Sequence, residues 1–394
     1  MHLDLIYFDA GGGHRAAATA LRLVIERQQR PWAVSLVNLQ EALDPLDIFR
    51  KLTGLRLQDI YNLLLKKGWT LGTPQLLPLM QGVIRLYHRP TVRLLESLWR
   101  ERRPDMVVSL VPHFNRALRE SLHRASPATP YVTILTDLAD YPPHFWMEPL
   151  TAGQSASRRT GVASFLICGS DRAVEQARAL GHPEEAVFRT SGMILHPRFH
   201  EPATLDRRAE RQRLGLDPDL PTGLVLFGGQ GSRVMLEIAR RLDRSGLNLQ
   251  LILICGRNEK LYRALKARKM RLPVWVEGFT TEVPYYMRLA DFLIGKPGPG
   301  SISEALAIEL PVIVSSNAWT LPQERFNAAF VTEKQLGIVV HSFRHIDRAV
   351  AQLLDPANFA RCRANAAALR NRAVYEIPDI LETILRKQPC AQPS

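Results

Sequence analysis

Short apolar runs alternate with helix-patterned segments along this chain, and that alternation restricts the folds open to it more than any other feature. The runs are "LDLIYF", "WAVSLVNL", "DMVVSLV", "YVTILTD" and "SFLICGS" in the first half, then "GLVLFGG", "LQLILICG", "VWVEGF", "DFLIGK" and "PVIVSS" in the second. Strand-length runs separated by helices form βαβ units, whose parallel sheets are covered on both faces. A polar, proline-bearing connection beginning near Pro197 divides the chain, and "GLVLFGGQGSRVMLEIARRL" after it repeats the strand, glycine turn and helix seen in "LDLIYFDAGGGHRAAATALRLVIE". The expected class is therefore α/β, with two Rossmann-like domains whose parallel sheets face a central cleft lined by the carboxyl ends of their strands.

A length of 394 residues suits two domains, and a hydrophobic fraction of 46% with 23% charged residues is that of a globular protein. The four cysteines, Cys168, Cys255, Cys362 and Cys390, have no paired spacing of the kind that marks a zinc site or disulfide framework. No apolar run is long enough to cross a bilayer and no signal-peptide pattern opens the chain, so the expected location is cytoplasmic. The formal net charge of +13 requires an anionic partner. Without zinc-finger spacing, an RNP motif or a basic zipper, nucleic acid is not expected. From Asp44 to Trp99 the strand alternation stops. There "LQDIYNLLLKKGWTLG" mixes lysines with Leu63, Leu64, Leu65, Trp69 and Leu71, a pattern that suits either a helix in the headgroup layer of an anionic membrane or a helical insert packed on the sheet.

Three turns bear on chemistry. In "GGGHRAAA", Gly12 and Gly13 let a ligand approach the backbone, and His14 falls on the first turn of a helix, whose positive end disfavours the imidazolium. "GKPGPGSISEAL" again opens a helix from a glycine turn, with Ser301 or Ser303 as N-cap candidates and Glu304 expected on the first turn. "TLPQERFNAAF" places Gln323, Glu324 and Asn327 on a loop at the same strand edge. The only Asp-x-Asp, Asp217-Pro218-Asp219, precedes a strand and reads as a turn rather than a metal site, so no metal is expected.

"GGGHRAAA", "TDLADYPPHFW", "GGQGS", "ICGRNEKL", "GFTTEVPYYMRLADFLIGKPGPGSISEALAIELPVI" and "PQERFN" occur in that order over nearly the whole chain. This set resembles the monogalactosyldiacylglycerol synthase and processive diacylglycerol glucosyltransferase group, related more distantly to the peptidoglycan lipid-intermediate N-acetylglucosaminyltransferase. The resemblance implies a GT-B fold and an inverting, metal-independent transfer of a hexose from UDP-glucose or UDP-galactose to a lipid hydroxyl at the membrane surface, without a cofactor. It also implies a membrane-associating acceptor region in the helical insert.

That chemistry needs a base near the acceptor hydroxyl. The resemblance places it at His14; Asp137, in "TDL" at the end of a strand, is the candidate partner or itself the base, and His113 and His144 are weaker alternatives on the acceptor side. The developing charge on the diphosphate needs preorganised donors. Gly229, Gly231 and Ser232, with Gly298, Gly300, Ser301 and Lys296, are the candidates. By resemblance Glu304 would bind the uridine ribose, Gly278 and Phe279 the uracil, and Gln323 with Glu324 the donor sugar. The family has glycine before and after its Gln-Glu pair, whereas this chain has Pro322, then Arg325 and Phe326, so the sugar stays open. The expected division is 1–196 for the acceptor and membrane, with the insert at about 44–99, 197–370 for the donor, and 371–394 as a helix and tail packing back on the first domain. Another acceptor, a nucleotide-sugar epimerase reaction, and a basic membrane protein that binds nucleotide without turnover are the alternatives.

Overall fold

The computed structural model describes residues 1–9, 12–46, 82, 84–141, 144–150, 163–202, 205–318 and 320–387. These form two compact units, the first taking in residues up to Pro197 and from Asn371 onward, the second Arg198–Arg370. Of the helical insert, the segment with Leu63–Leu65, Trp69 and Leu71 lies outside the described residues, and the helix His88–Arg102 is its principal described part. Among the described residues no helix is long and apolar enough to cross a membrane.

In the first unit six strands, β1 (His2–Tyr7), β2 (Ala33–Asn38), β3 (Met106–Ser109), β4 (Tyr131–Ile134), β5 (Ser164–Cys168) and β6 (Val187–Arg189), form one parallel sheet in the order β2-β1-β3-β4-β5-β6. The register is continuous, with Leu5 opposite both Leu36 and Val108. Leu3, Leu5, Val108, Val132 and Ile167 pack against Leu21, Val24 and Ile25 of the helix Gly13–Arg27. Asp4 is fully buried in β1, and its charge is met by Arg102, whose Nε and Nη2 donate to the two carboxylate oxygens at 2.7 and 2.6 Å. The helix Ala373–Arg386 adds Val374, Ile377, Leu381 and Ile384 to the same core, each stabilising by about 1.5–3 kcal/mol when fully buried. Arg30 pairs with Asp379 and Glu382 at its surface.

The second unit has β7 (Thr222–Leu226), β8 (Gln250–Ile254), β9 (Val274–Glu277), β10 (Phe292–Gly295), β11 (Val312–Ser315) and β12 (Gly337–Val340), all parallel, in the order β12-β11-β10-β7-β8-β9. Val225, Leu251, Leu253, Ile294 and Ile313 meet helix residues Ile238, Leu242, Ile346 and Val350. Asp217 and Asp219 are in a turn, where Asp217 Oδ1 accepts the backbone N–H of Asp219 at 2.7 Å and of Leu220 at 3.3 Å. Two strands, β6 and β12, have no counterpart among the apolar runs read from the sequence. Both are outer strands with a neighbour on one side only, and their residues are half-buried or exposed, so neither needs a full apolar run.

Candidate functional site

Open α/β sheets take ligands beyond the carboxyl ends of their strands, where chain order reverses. In the first unit that point lies between β1 and β3, and in the second between β7 and β10.

After β1, Gly12 turns the chain with φ 82°, a left-handed conformation that glycine adopts without strain, and the helix begins at Gly13. A Cβ added at Gly12 or Gly13 would meet no atom within 4 Å, so packing does not demand glycine at either position. His14 follows. Its Nδ1 is 3.0 Å from Thr136 Oγ1, and the ring also bonds to the backbone of Leu110 beyond β3. Burial, as the chief cause, pushes its pKa down to about 4, so the ring is neutral at pH 7. Trp146 joins the neighbouring groups, with its ring centroid 5.9 Å from that of His14 and its Nε1 donating to Asp137 Oδ2 at 2.8 Å.

The loop after β4 is fixed by Asp140, which is almost wholly buried and accepts the backbone N–H of His144 at 3.1 Å and of Trp146 at 2.6 Å. His113 and His144 both have left-handed backbones, with φ 66° and 65°, an uncommon state for side chains other than glycine. His113 N donates to the Phe145 carbonyl at 2.7 Å, its ring stands edge-on to that of Phe145 at 4.2 Å, and burial lowers its pKa to about 4. His144 Nδ1 is buried with no hydrogen-bond partner among the described residues. His14, Asp137, His113 and His144 are thus brought into one cluster through Phe145 and Trp146.

In the second unit the turns after β7 and β8 interlock. Gly231 has φ 59°, and a Cβ there would lie 2.3 Å from the Cys255 carbonyl oxygen, while one at Gly256 would lie 2.4 Å from that of Gly229. Arg257 N donates to Gly229 O at 2.8 Å across this junction. At Gly229 itself an added Cβ would meet nothing within 4 Å. Gly231 is therefore required by packing, whereas Gly229 leaves its surroundings open. Ser232 Oγ is 3.4 Å from the Val234 N–H at the start of the next helix.

The helix after β10 spans Pro299–Ala307 with Gly298 at its N-cap and no side-chain capping bond. Neither Ser301 nor Ser303 caps it, contrary to expectation, because proline opens the helix two residues before Ser301. Glu304 is consequently beyond the first turn, where the helix end would have favoured its charge. Burial instead raises its pKa to about 7, and the carboxylate has no hydrogen-bond or ion-pair partner among the described residues. A Cβ at Gly300 would meet nothing within 4 Å, and Asn327 Nδ2 holds the Pro297 carbonyl at 2.8 Å.

Lys296 Nζ is 2.6 Å from Oε1 of the buried Glu324, and a Cβ at Gly298 would come within 3.4 Å of Lys296 Cε and 3.7 Å of Glu324 Oε1. Gln323 is half-buried beside this pair. Beyond β9, the Gly278 N–H donates to Glu277 Oε1 at 2.9 Å. The Phe279 ring is 56% exposed and carries Arg257 over its face at 4.4 Å. The residues that sequence reasoning passed over are partners of chosen ones: Thr136 adjoins Asp137, while Trp146 and Arg257 stand inside "TDLADYPPHFW" and "ICGRNEKL". Among the described residues, no group of three or more His, Cys, Asp or Glu side chains is placed to hold a metal ion.

Residues 224–384 match the glycosyltransferase family 28 C-terminal domain. The solved structures similar to this chain include MurG of Acinetobacter baumannii, with a TM-score of 0.60 at 12% identity over 97% of this chain and 100% of that one. They also include the UDP-GlcNAc 2-epimerase of Neisseria meningitidis bound to UDP-GlcNAc, with a TM-score of 0.61 at 13% identity over 98% of this chain and 100% of that one. The fold is GT-B and the chain is a glycosyltransferase. Among curated relatives, it is 28% identical over 98% of its length to the probable monogalactosyldiacylglycerol synthase 2 of Oryza sativa subsp. japonica, covering 81% of that protein. To monogalactosyldiacylglycerol synthase 1 of Arabidopsis thaliana it is 27% identical, again over 98% of its length and covering 71% of that protein. These matches support a GT-B glycosyltransferase related to the monogalactosyldiacylglycerol synthases.

Proposed function

We propose that this protein transfers a hexose from a UDP-sugar, UDP-galactose or UDP-glucose, to the hydroxyl of diacylglycerol or a glycosyl-diacylglycerol, with inversion and without a metal. The observation that carries the reading is His14, a half-buried ring kept neutral on the first turn of the helix after β1, beside glycines whose surroundings are open. The acceptor oxygen bonds to the anomeric carbon from the face opposite the leaving group. Its proton passes to His14, and the anomeric C–O bond breaks with its electron pair going to the β-phosphate of UDP. A neutral imidazole carries one nitrogen without a proton, which is what the transfer requires. Asp137, held by Trp146, orients the base or the acceptor.

The second unit would hold the donor. The open backbone at Gly229, Gly298 and Gly300, with Ser232, Ser301 and Lys296, suits a diphosphate, since N–H groups and an ammonium stabilise developing charge without a metal. Glu304, which has no partner among the described residues, suits both ribose hydroxyls. Phe279 with Arg257 and Gly278 suits the uracil, and Gln323 with the Lys296–Glu324 pair the sugar. On this reading 1–196 serve the acceptor, through Gly12, Gly13, His113 and His144, and 197–370 the donor.

The relatives are named for synthesis of a galactosyl lipid, which supports a lipid acceptor here. Leu86 is 78% exposed among the exposed Arg85, Arg89 and Arg93, which supports peripheral attachment to an anionic membrane at its cytoplasmic face. The test is incubation of the purified protein with each UDP-sugar and diacylglycerol vesicles in EDTA. Glycolipid and UDP should form together. Interconversion of UDP-sugars without an acceptor would replace this reading with an epimerase.

A further inference from the structure

At the end of the second sheet remote from the glycine turns, a cavity of about 170 Å³ is lined by Arg207, Arg288 and Arg363 with Met287, Asp291 and Leu310. Asp291 directly precedes β10 and Leu310 lies just before β11, so the cavity belongs to the amino ends of these strands. At ~3.3 Å per residue, one strand length puts it roughly 15 Å from the turn at Lys296. It is no part of the candidate donor site.

Its charges do not balance. Asp291 is fully engaged, accepting Arg207 Nη2, Arg211 Nη2 and the Thr222 N–H, each at 2.7 Å. Arg363 Nη2 is 3.2 Å from Glu309 Oε2, but both side chains are about half exposed, which makes for a weak pair. Arg288 donates from Nη2 to the carbonyls of Arg198 and Glu201 at 2.8 and 2.7 Å, and among the described residues it forms no ion pair. Burial lowers its pKa. Arg207 Nε is buried with no acceptor among the described residues, a state that costs about 1–3 kcal/mol for a donor. Three guanidinium groups, those of Arg207, Arg288 and Arg363, thus line the cavity against one lining carboxylate, Asp291, while Glu201 and Glu309 act on Arg288 and Arg363 from outside the lining.

We propose that this cavity binds a phosphate-type oxyanion, either free phosphate or a phosphate monoester. A dianion matches the excess of positive charge, and its oxygens suit the planar forks of Arg207, Arg288 and Arg363. The donor reading is not needed for this site, since none of the residues assigned to UDP lines it.

The test is thermal denaturation of the full chain in low-salt buffer with saturating UDP, so that any diphosphate subsite is filled. Inorganic phosphate or glycerol 3-phosphate is then titrated. The expected result is a saturable rise in Tm. In Arg363→Gln and Arg288→Lys the rise should need at least about fivefold more ligand, with the UDP effect unchanged. A response to inorganic phosphate alone assigns the free ion, and a response to both assigns a site that also takes the ester. The proposal is overturned if sodium chloride at equal ionic strength raises Tm as much, or if both variants respond like the parent. Should Arg288→Lys fail to fold, Arg363→Gln decides alone. Should UDP itself not bind, the same comparison without it still decides.

Discussion

Trp146 Nε1 donates to Asp137 Oδ2 at 2.8 Å, while the same indole is 5.9 Å from the His14 ring. One buried side chain therefore touches both groups proposed to handle the acceptor proton. Trp146→Phe keeps an aromatic ring and removes the donor. Losing a hydrogen bond to a charged group in a buried setting costs about 1–2 kcal/mol, so kcat should fall roughly 5- to 30-fold. UDP affinity should not change, because Trp146 is in the first unit. Steady-state kinetics and calorimetry measure the two quantities, and an altered UDP affinity with normal kcat would detach Trp146 from proton transfer.

His14→Ala should lower transfer by about 10²–10⁴, the usual contribution of a general base, with UDP binding retained. The pH profile is more diagnostic. With the ring pKa at about 4, kcat at saturating UDP-sugar should have no acid limb from His14 near 6.5, the value for an unburied histidine, and the limb due to this ring should come only as pH approaches 4. The same shift bears on stability. Between pH 6.5 and 4 the unfolded chain binds protons that the folded His14 and His113 refuse, so stability is lost as pH falls through that window. The urea midpoint should be lower at pH 5 than at pH 7, and this loss should shrink in His113→Gln.

Glu304 titrates in the opposite sense. Its folded pKa of about 7 lies above the ordinary 4.5, so between those values the folded chain holds a proton that the unfolded chain releases, and stability from this group falls as pH rises. A carboxylate that accepts ribose hydroxyls must be ionised. UDP affinity should therefore increase from pH 6 to pH 8, and Glu304→Gln should bind weakly with that dependence gone. A pH dependence that persists in the variant would assign it to another group.

The sheets were legible because buried parallel strands require near-continuous apolar runs such as "LQLILICG", whereas the outer strands β6 and β12 do not. The turns at Gly12 and Gly229 were legible through glycine. Which glycine serves packing was not, since Gly231 is pressed on by Cys255, a residue 24 positions away, and no local pattern carries that contact. The depressed pKa of His14 was anticipated from the helix end, yet burial is its chief cause. Trp146 and Arg257 went unread because each acts through a partner brought near by folding, Asp137 in one case and Phe279 in the other.

Membrane attachment through exposed basic residues predicts a salt dependence. Raising salt from about 0.1 M to 1 M shortens the screening length from about 10 Å to about 3 Å. Co-sedimentation with vesicles containing anionic lipid should fall over that range and be slight with zwitterionic vesicles. Replacing Arg85, Arg89 and Arg93 with glutamine should reduce it, while Leu86→Ser should weaken what remains at high salt. Binding insensitive to salt and to these changes would move attachment away from residues 85–93.

Gly229, Gly300 and Gly231 separate ligand approach from packing. Gly229 and Gly300 have open space where a Cβ would go, and neither has a left-handed backbone. Alanine at either position should leave Tm unchanged or slightly raised, since Gly→Ala at a compatible site contributes about 0.4–1 kcal/mol. If a diphosphate approaches these backbones, the new methyl group overpacks that contact by about 1–3 kcal/mol, weakening UDP by roughly 5- to 150-fold. Gly231→Ala should do the reverse. Its Cβ would be 2.3 Å from the Cys255 carbonyl oxygen in a left-handed turn, so Tm should drop sharply, with UDP binding lost only as the turn is displaced. Equal UDP affinity in Gly229→Ala, Gly300→Ala and the parent would show that the open backbone of the second unit is not where the donor phosphates lie.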